Sequence, residues 1–475
     1  MARSKIRRRS LSANDGTVGG ANALRQPAWR ALIALFVVSR IWLFWFCQPQ
    51  FSDVYVYYQY AVQTIDLHAR PYVDVPIEYP PLSYYLMALP GWARSGRVTV
   101  DLIAQRSPAL DELYASYTQL FRGEMLLFDL AALWLWWLIV RRREPTEAWW
   151  ATAAFIAVPV VLADVAYDRL DLPFLFLLLA AYYCRQRADD APTTDQSPPY
   201  WLALSYGLVG LGIAYRVIPV LVVPVLVVFE GRQSLHTRRW QPLWWGLAAV
   251  TGGVLVPTLP AFLSAGTAVF GFLRYHRERG IEIESTWASI QMVLAGCGAP
   301  IEVYGGHGGQ NVRGLYSDAL LLLSTLGVLF VVGAVTMAIL LRRTPLTGSQ
   351  LSRLTLIVML LAAVGSKVLS VQYFIWALPL MLLIAVETPT LARHLAYVAP
   401  CVLVIAGLSS LVFPHFFFAD TTIWGREWKH GWSLLDLHWF PVWVLGMRNL
   451  LFVAGVSWLA WGLYREVKQA TPTAG

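Results

Sequence analysis

The stretch Leu120–Arg143, LFRGEMLLFDLAALWLWWLIVRRR, decides how the chain must fold. Its apolar part, Leu120 to Val140, has the length of about 20 residues that a helix needs to cross a hydrocarbon core of roughly 30 Å. Three consecutive arginines close it, and Lys and Arg accumulate in the cytoplasmic loops of membrane proteins. Arg141, Arg142 and Arg143 therefore set the orientation of this span. Outward from it, an apolar segment at 29–47 reads as the first span. Pro80 to Gly91 is too short to cross comfortably, and counting it would put Arg141 to Arg143 outside. It reads as interfacial or re-entrant.

The composition agrees. Of 475 residues 57% are hydrophobic and 14% charged, against roughly 45–50% and about 25% for a soluble domain. Mean hydropathy is +0.52, and 22 Trp with 22 Tyr suit the two water interfaces of a bilayer. These values exclude disordered, collagen-like and disulfide-scaffold classes. The net charge of +8 reads as basic cytoplasmic loops, and no nucleic-acid partner is expected. Cys47, Cys184, Cys297 and Cys401 have no CxxC spacing, which leaves neither a zinc ribbon nor a dithiol redox motif.

The fold expected is all-α: a polytopic transmembrane helical bundle of about twelve spans. They lie at 29–47, 120–140, 147–165, 170–184, 200–215, 217–229, 240–262, 315–341, 351–366, 371–386, 395–413 and 441–463. Both termini fall on the cytoplasmic side, with 1–28 a disordered basic tail, 29–463 the membrane domain and 464–475 a second tail whose end frays. Long loops at 48–119, 264–312 and 414–440 face outward, the first carrying interfacial helices. There is no internal repeat of the kind that builds many transporters. Any chemistry is expected on the outer face of a plasma (inner) membrane protein.

The richest outer stretch is Phe51–Tyr85, FSDVYVYYQYAVQTIDLHARPYVDVPIEYPPLSYY. Asp53 follows the first span closely, at head-group depth, among Tyr55, Tyr57, Tyr58 and Tyr60. A helix cap and an aromatic belt are the plainer readings of these residues. Glu78-Tyr79-Pro80-Pro81-Leu82 is stiffened by proline and either presents Glu78 and Tyr79 to a cleft or opens a re-entrant helix. Arg216 lies between two short apolar segments ahead of Pro219, as at a broken helix lining a polar cavity. Arg40 and Asp129 lie within spans, where they form a functional pair or simply a structural one. Gly305-Gly306-His307-Gly308-Gly309 reads as a flexible loop. Trp424, Trp428, Trp432 and Trp439 stack on sugars or anchor an interfacial helix.

In order along the chain, these motifs resemble the polytopic glycosyltransferases of the C superfamily, above all the polyprenyl-phosphate-mannose-dependent α-mannosyltransferases of glycosyltransferase family 87. The resemblance is carried by Asp53 with its tyrosine-rich helix, Arg70-Pro71-Tyr72-Val73-Asp74, and Glu78 to Leu82. It continues through Phe121-Arg122 with Asp129, Tyr215 to Pro219, Tyr275-His276 with Arg279 to Ser285, and Ser370 to Pro379. It spans roughly 29–386. Arg216 stands where that group often has Lys, Glu282 where it commonly has Gln, and Asp168-Arg169-Leu170-Asp171 fits its acidic loop in more than one register.

The resemblance implies a sugar, mannose foremost, moved from a polyprenyl-phosphate donor to a lipid or glycan acceptor by a single displacement with inversion. A carboxylate takes the acceptor proton and cations hold the departing phosphate. Asp53 is the candidate base. Arg216 and Arg279, backed by Arg277, His276 and Lys367, are the candidate phosphate ligands. Substrate contacts are expected from Glu78, Tyr79, Asp168, Asp171, Glu284, Gln372 and Tyr373. No metal or cofactor is expected beyond the lipid-linked sugar, a co-substrate. A transporter or flippase of lipid-linked saccharides, or a non-catalytic scaffold, fits the same spans.

Overall fold

The computed structural model describes residues 27–47, 53–191, 200–342, 344, 346–423 and 426–469. The helices that build the bundle are α1 (Pro27–Trp45), α2 (Val54–Ala61), α3 (Pro81–Ala93), α4 (Ala109–Val140), α5 (Pro145–Val161), α6 (Asp171–Asp190), α7 (Tyr200–Tyr215), α8 (Val223–Thr237), α9 (Gln241–Ala265) and α10 (Gly271–Glu278). They continue with α11 (Thr286–Gly296), α12 (Ser317–Leu341), α13 (Gly348–Gly365), α14 (Phe374–Glu387), α15 (Leu395–Ser410) and α16 (Trp439–Gln469). Each of the twelve expected spans coincides with helix. By length and composition, eight helices among the described residues are able to cross a membrane. The remaining four have physical reasons to fall short. α5 and α7 have 17 and 16 residues, about 25 Å of helix at 1.5 Å per residue. α6 carries Arg185, Arg187, Asp189 and Asp190 in its final turns. The apolar stretch Val371–Glu387 is likewise short.

All fourteen residues of α14 are buried, so this helix, apolar all round, is the core post on which the others pack. Close approach elsewhere uses glycine. At Gly210 of α7 an added Cβ would lie 3.0 Å from the Cα of Gly253 in α9, and the reverse holds equally. Such small residues let membrane helices touch backbone to backbone. Proline and capping set several starts: Pro81 opens α3, and Thr347 with Gln350 forms a reciprocal capping box at α13.

Buried ion pairs fix which ends of the helices meet. Arg40 of α1 donates to Asp129 of α4 through Nε at 2.8 Å and Nη2 at 3.3 Å, and through Nη1 to the Ile156 carbonyl at 2.7 Å, and the Tyr167 hydroxyl adds a third donor to Asp129. At one end, Arg143 pairs with Glu387 at 2.6 Å, Arg185 with Glu230 at 2.7 Å and Arg353 with Glu466 at 2.8 Å. Arg122, within α4, and Arg143, just past its end, lie about 30 Å apart along the helix axis. The long loops gather at the Arg122 end.

Four details differ from the sequence expectation. The helix that carries the span at 120–140 begins earlier: Ala109 to Gln119 are the first turns of α4, because Asp111 and Glu112 suit a helix N-terminus. The segment 464–469 is the last turn of α16 rather than a fraying tail, clamped through Glu466 to Arg353. The glycine-rich loop is a hairpin: β2 (Ile301–Gly306) pairs β3 (Gly309–Gly314), which also pairs β1 (Ile281–Glu282). His307 and Gly308 sit at φ +50° and +62°, the double positive φ of a two-residue turn that follows strand twist. The last outer loop holds a second hairpin, β4 (Asp420–Ile423) with β5 (Arg426–Lys429), where an interfacial helix was expected, in keeping with β-branched Thr421, Thr422 and Ile423. The expected disordered tail 1–28 lies outside the described residues up to Gln26.

Removing one partner of the Arg40–Asp129 pair leaves a buried charge, at about 3–5 kcal/mol. D129A should therefore lower the thermal midpoint sharply in fluorescence-detected size exclusion. The apolar double variant R40M/D129L should recover most of the loss.

Candidate active site

Four residues at the entry to α6, Asp168-Arg169-Leu170-Asp171, organise the loop-bearing end. Each charge is met from a different element. Arg122 of α4 donates to Asp168 at 2.8 Å and to the Cys47 carbonyl at 3.1 Å. Arg169 contacts Asp53, at the start of α2. Arg216, just past the end of α7, donates to Asp171 at 2.9 Å. Asp171 is the first residue of α6 and Arg216 follows the last residue of α7, so each charge also suits the helix end it occupies. Tyr215 fastens the same turn by donating to the Leu170 carbonyl at 2.7 Å, and its own carbonyl accepts from Ser83 at 2.6 Å.

Asp53 makes no side-chain cap to α2. Its carboxylate instead meets Arg169 and remains 38% exposed, whereas the Arg169 side chain is 9% exposed. Burial lowers the Arg169 guanidinium to about 10, with Asp171, Glu284 and Glu282 opposing that fall and Arg216 adding to it. A sequence reading that treated 168–171 as an acidic loop missed Arg169, the residue that connects the loop to Asp53.

Next to this turn is a cavity of about 290 Å³. Arg216, His276, Tyr79 and Tyr373 supply its polar edge, and Trp376, Phe174, Leu221, Leu273, Val328 and Ala362 most of its apolar wall. Phe174 and Trp376 meet edge to face at 5.4 Å. The Nε of Arg216 and the Nε of Arg279 are buried without a hydrogen-bond partner, so both guanidinium groups keep donor capacity. Arg279 gives its Nη2 to Glu282 at 2.8 Å. Tyr79 is hydrogen-bonded to Tyr57, and its carbonyl accepts from Tyr72 at 2.9 Å.

The other expected site residues divide. Glu78 accepts from Tyr275 beside the His307–Gly308 turn, and burial raises its carboxyl above the usual range. Asp168 and Asp171 are buried at the turn and are engaged by Arg122 and Arg216. Arg277 was expected to help hold phosphate, but it is 79% exposed beside Glu278: one step along α10 turns it about 100° away from His276. Lys367 was another expected ligand, yet its amine is bonded to the carbonyls of Arg277 and Arg279 and pins that turn. Glu284 was expected at substrate. It accepts from Arg448 of α16 at 2.9 Å, and burial pushes its carboxyl up to about 7 against the pull of Arg448. It acts as a buried clamp. Gln372 lies on the short turn Val371–Tyr373 next to Tyr373 but does not line the cavity. Trp432 and Trp439 pack edge to face on each other at 5.4 Å. Trp424 and the side chain of Trp428 lie outside the described residues. Among the described residues, no three His, Cys, Asp or Glu converge as a metal site.

The structure is thus a multi-pass helical bundle with a cation-edged, apolar-walled cavity under its long loops. The description of glycosyltransferase family 87 matches residues 78–364, and the chain belongs to that family. Comparison with curated proteins gives no match. Among solved structures, ArnT from Cupriavidus metallidurans is similar in its apo state and bound to undecaprenyl phosphate. The identities are 15% and 16%, the coverage 91% and 92% of this chain and 76% and 77% of ArnT, and the TM-score 0.36 in both cases.

The raised carboxyl of Glu78 has a signed consequence. The folded protein holds a proton there that the unfolded chain releases near the ordinary value of about 4.3, so ionising Glu78 costs stability as pH rises through its folded value. E78Q should match wild type below the ordinary glutamate range and gain on it at higher pH, measured as thermal midpoint against pH. A constant offset at all pH values would contradict this.

Proposed function

We propose that this protein transfers a hexose, mannose foremost, from a polyprenyl-phosphate donor to a hydroxyl of an envelope lipid or glycan acceptor at the outer face of the plasma (inner) membrane. The observation that carries this reading is the cavity itself: the Arg216 guanidinium, with an unpartnered Nε, stands at the edge of an apolar pocket. A polyprenyl phosphate has that polarity, an anionic head on a hydrocarbon chain. Arginine grips phosphate oxygens with several donors, and more strongly where water is partly excluded.

The transfer is a single displacement with inversion. The acceptor oxygen forms a bond to the anomeric carbon while the bond from that carbon to the phosphate oxygen breaks. The polyprenyl phosphate leaves with the electron pair, stabilised by Arg216 with His276 and Arg279 near it. The acceptor proton goes to Asp53, whose exposed edge is open to a hydroxyl while Arg169 holds the carboxylate from the buried side. Tyr79, Tyr373 and Trp376 offer hydroxyl and ring contacts to the sugar, and Glu78 a further acceptor. Asp168 and Asp171 hold Arg122 and Arg216 in place.

The test is transfer from a radiolabelled polyprenyl-phosphate sugar by membranes with matched protein levels. D53N should lose transfer by about 10²–10⁴-fold, the range of a positioned general base, whereas R277A should stay near wild type. Undiminished transfer by D53N would remove Asp53 as base. Movement of a fluorescent lipid-linked sugar across liposomes with no new linkage would replace the enzyme by a flippase.

A further inference from the structure

We propose that the groove between α15 and α16, at the Arg143 end of the bundle and remote from the candidate active site, binds an anionic two-chain glycerophospholipid. Two cavities meet there. One, of about 410 Å³, is apolar and lies among Cys401, Ile405, Leu451 and Ala454; the other, of about 330 Å³, is edged by Arg393 and Arg465. His394 and Trp458 belong to both, and their rings meet at 6.1 Å. The combined shape is a hydrocarbon slot that opens directly into a basic mouth.

Among the described residues, no carboxylate lines this mouth beside its two arginines. At the same end Arg142, Arg143, Arg185 and Arg353 are each paired with a carboxylate. Arg393 and Arg465 are exposed and have no carboxylate partner among the described residues; Arg393 only donates to the His394 ring at 3.2 Å. Two spare cations therefore face a cavity that holds no anion of the protein's own. Trp458 and Trp461 beside them are the ring type that settles at head-group depth. Basic pockets between membrane helices accept lipid phosphates in this way, with the phosphodiester on the arginines and a chain in the apolar slot. The site requires only that the bundle spans a bilayer and is independent of the transfer reaction.

The test uses the full chain in nanodiscs of phosphatidylcholine containing phosphatidylglycerol, with retained lipid counted by native mass spectrometry. Wild type should retain phosphatidylglycerol in preference to phosphatidylcholine. R393A/R465A should weaken that retention by roughly 30-fold, about fivefold for each cation. A454W, which fills the slot and leaves both arginines, should also abolish it. Equal retention of the two lipids by wild type would overturn the site. So would a loss confined to the arginine variant, which would mean surface attraction without the groove, or displacement of the lipid by polyprenyl phosphate.

Discussion

The candidate site depends on a set of opposed charges packed at one turn. Asp168, Arg169 and Asp171 are consecutive or nearly so, and each is answered by a charge from another part of the chain: Arg122, Asp53 and Arg216. Unpaired, any of these groups would be costly to bury. Paired, they join the start of α2, the body of α4, the start of α6 and the end of α7 at one level of the bundle. The pairing also sets electrostatics. Asp53 faces the Arg169 guanidinium, and Arg216, which lines the cavity, keeps an unpartnered Nε instead of spending its whole fork on Asp171.

The same logic separates supporting residues from those free to act. Glu284, Lys367 and Glu282 carry charges suited to chemistry, yet their hydrogen bonds go to Arg448, to backbone carbonyls and to the Leu369 amide with Arg279. They hold the 277–284 segment against α16 and the 367–373 turn. His276, Arg216, Tyr79 and Tyr373 instead face open volume. In a low-dielectric bundle a charge whose donors or acceptors are all engaged is structural, whereas a paired group that keeps an exposed edge, as Asp53 does, or a spare donor, as Arg216 does, is available to a ligand.

Much of this was legible in the sequence because membrane residence constrains composition so strongly. Apolar segments, the arginines after Val140 and the long loops located the helices and the end where polar outliers gather. The Arg216 turn could be picked out as an interruption between apolar segments and Tyr79 by the prolines that follow it, and the ordered motifs anticipated the family. Partner choice was not legible. Nothing in spacing tells that Arg169 reaches Asp53, 116 residues away, that Lys367 bonds backbone, or that Arg448 claims Glu284, since these depend on which helices adjoin. The hairpin at His307–Gly308 was hidden for a different reason: glycine on both sides suits a flexible loop and a tight turn equally, and only strand pairing decides between them.

The central claim is that the Arg216 cavity receives the phosphate of a polyprenyl chain. The most direct measurement is an electron cryomicroscopy map of the protein in lipid nanodiscs with polyprenyl phosphate added. The account predicts phosphate density within hydrogen-bond reach of Arg216 and beside His276, with the chain running along Leu221 and Val328. Phosphate density at another place in the bundle, with this cavity occupied only by water, would contradict it.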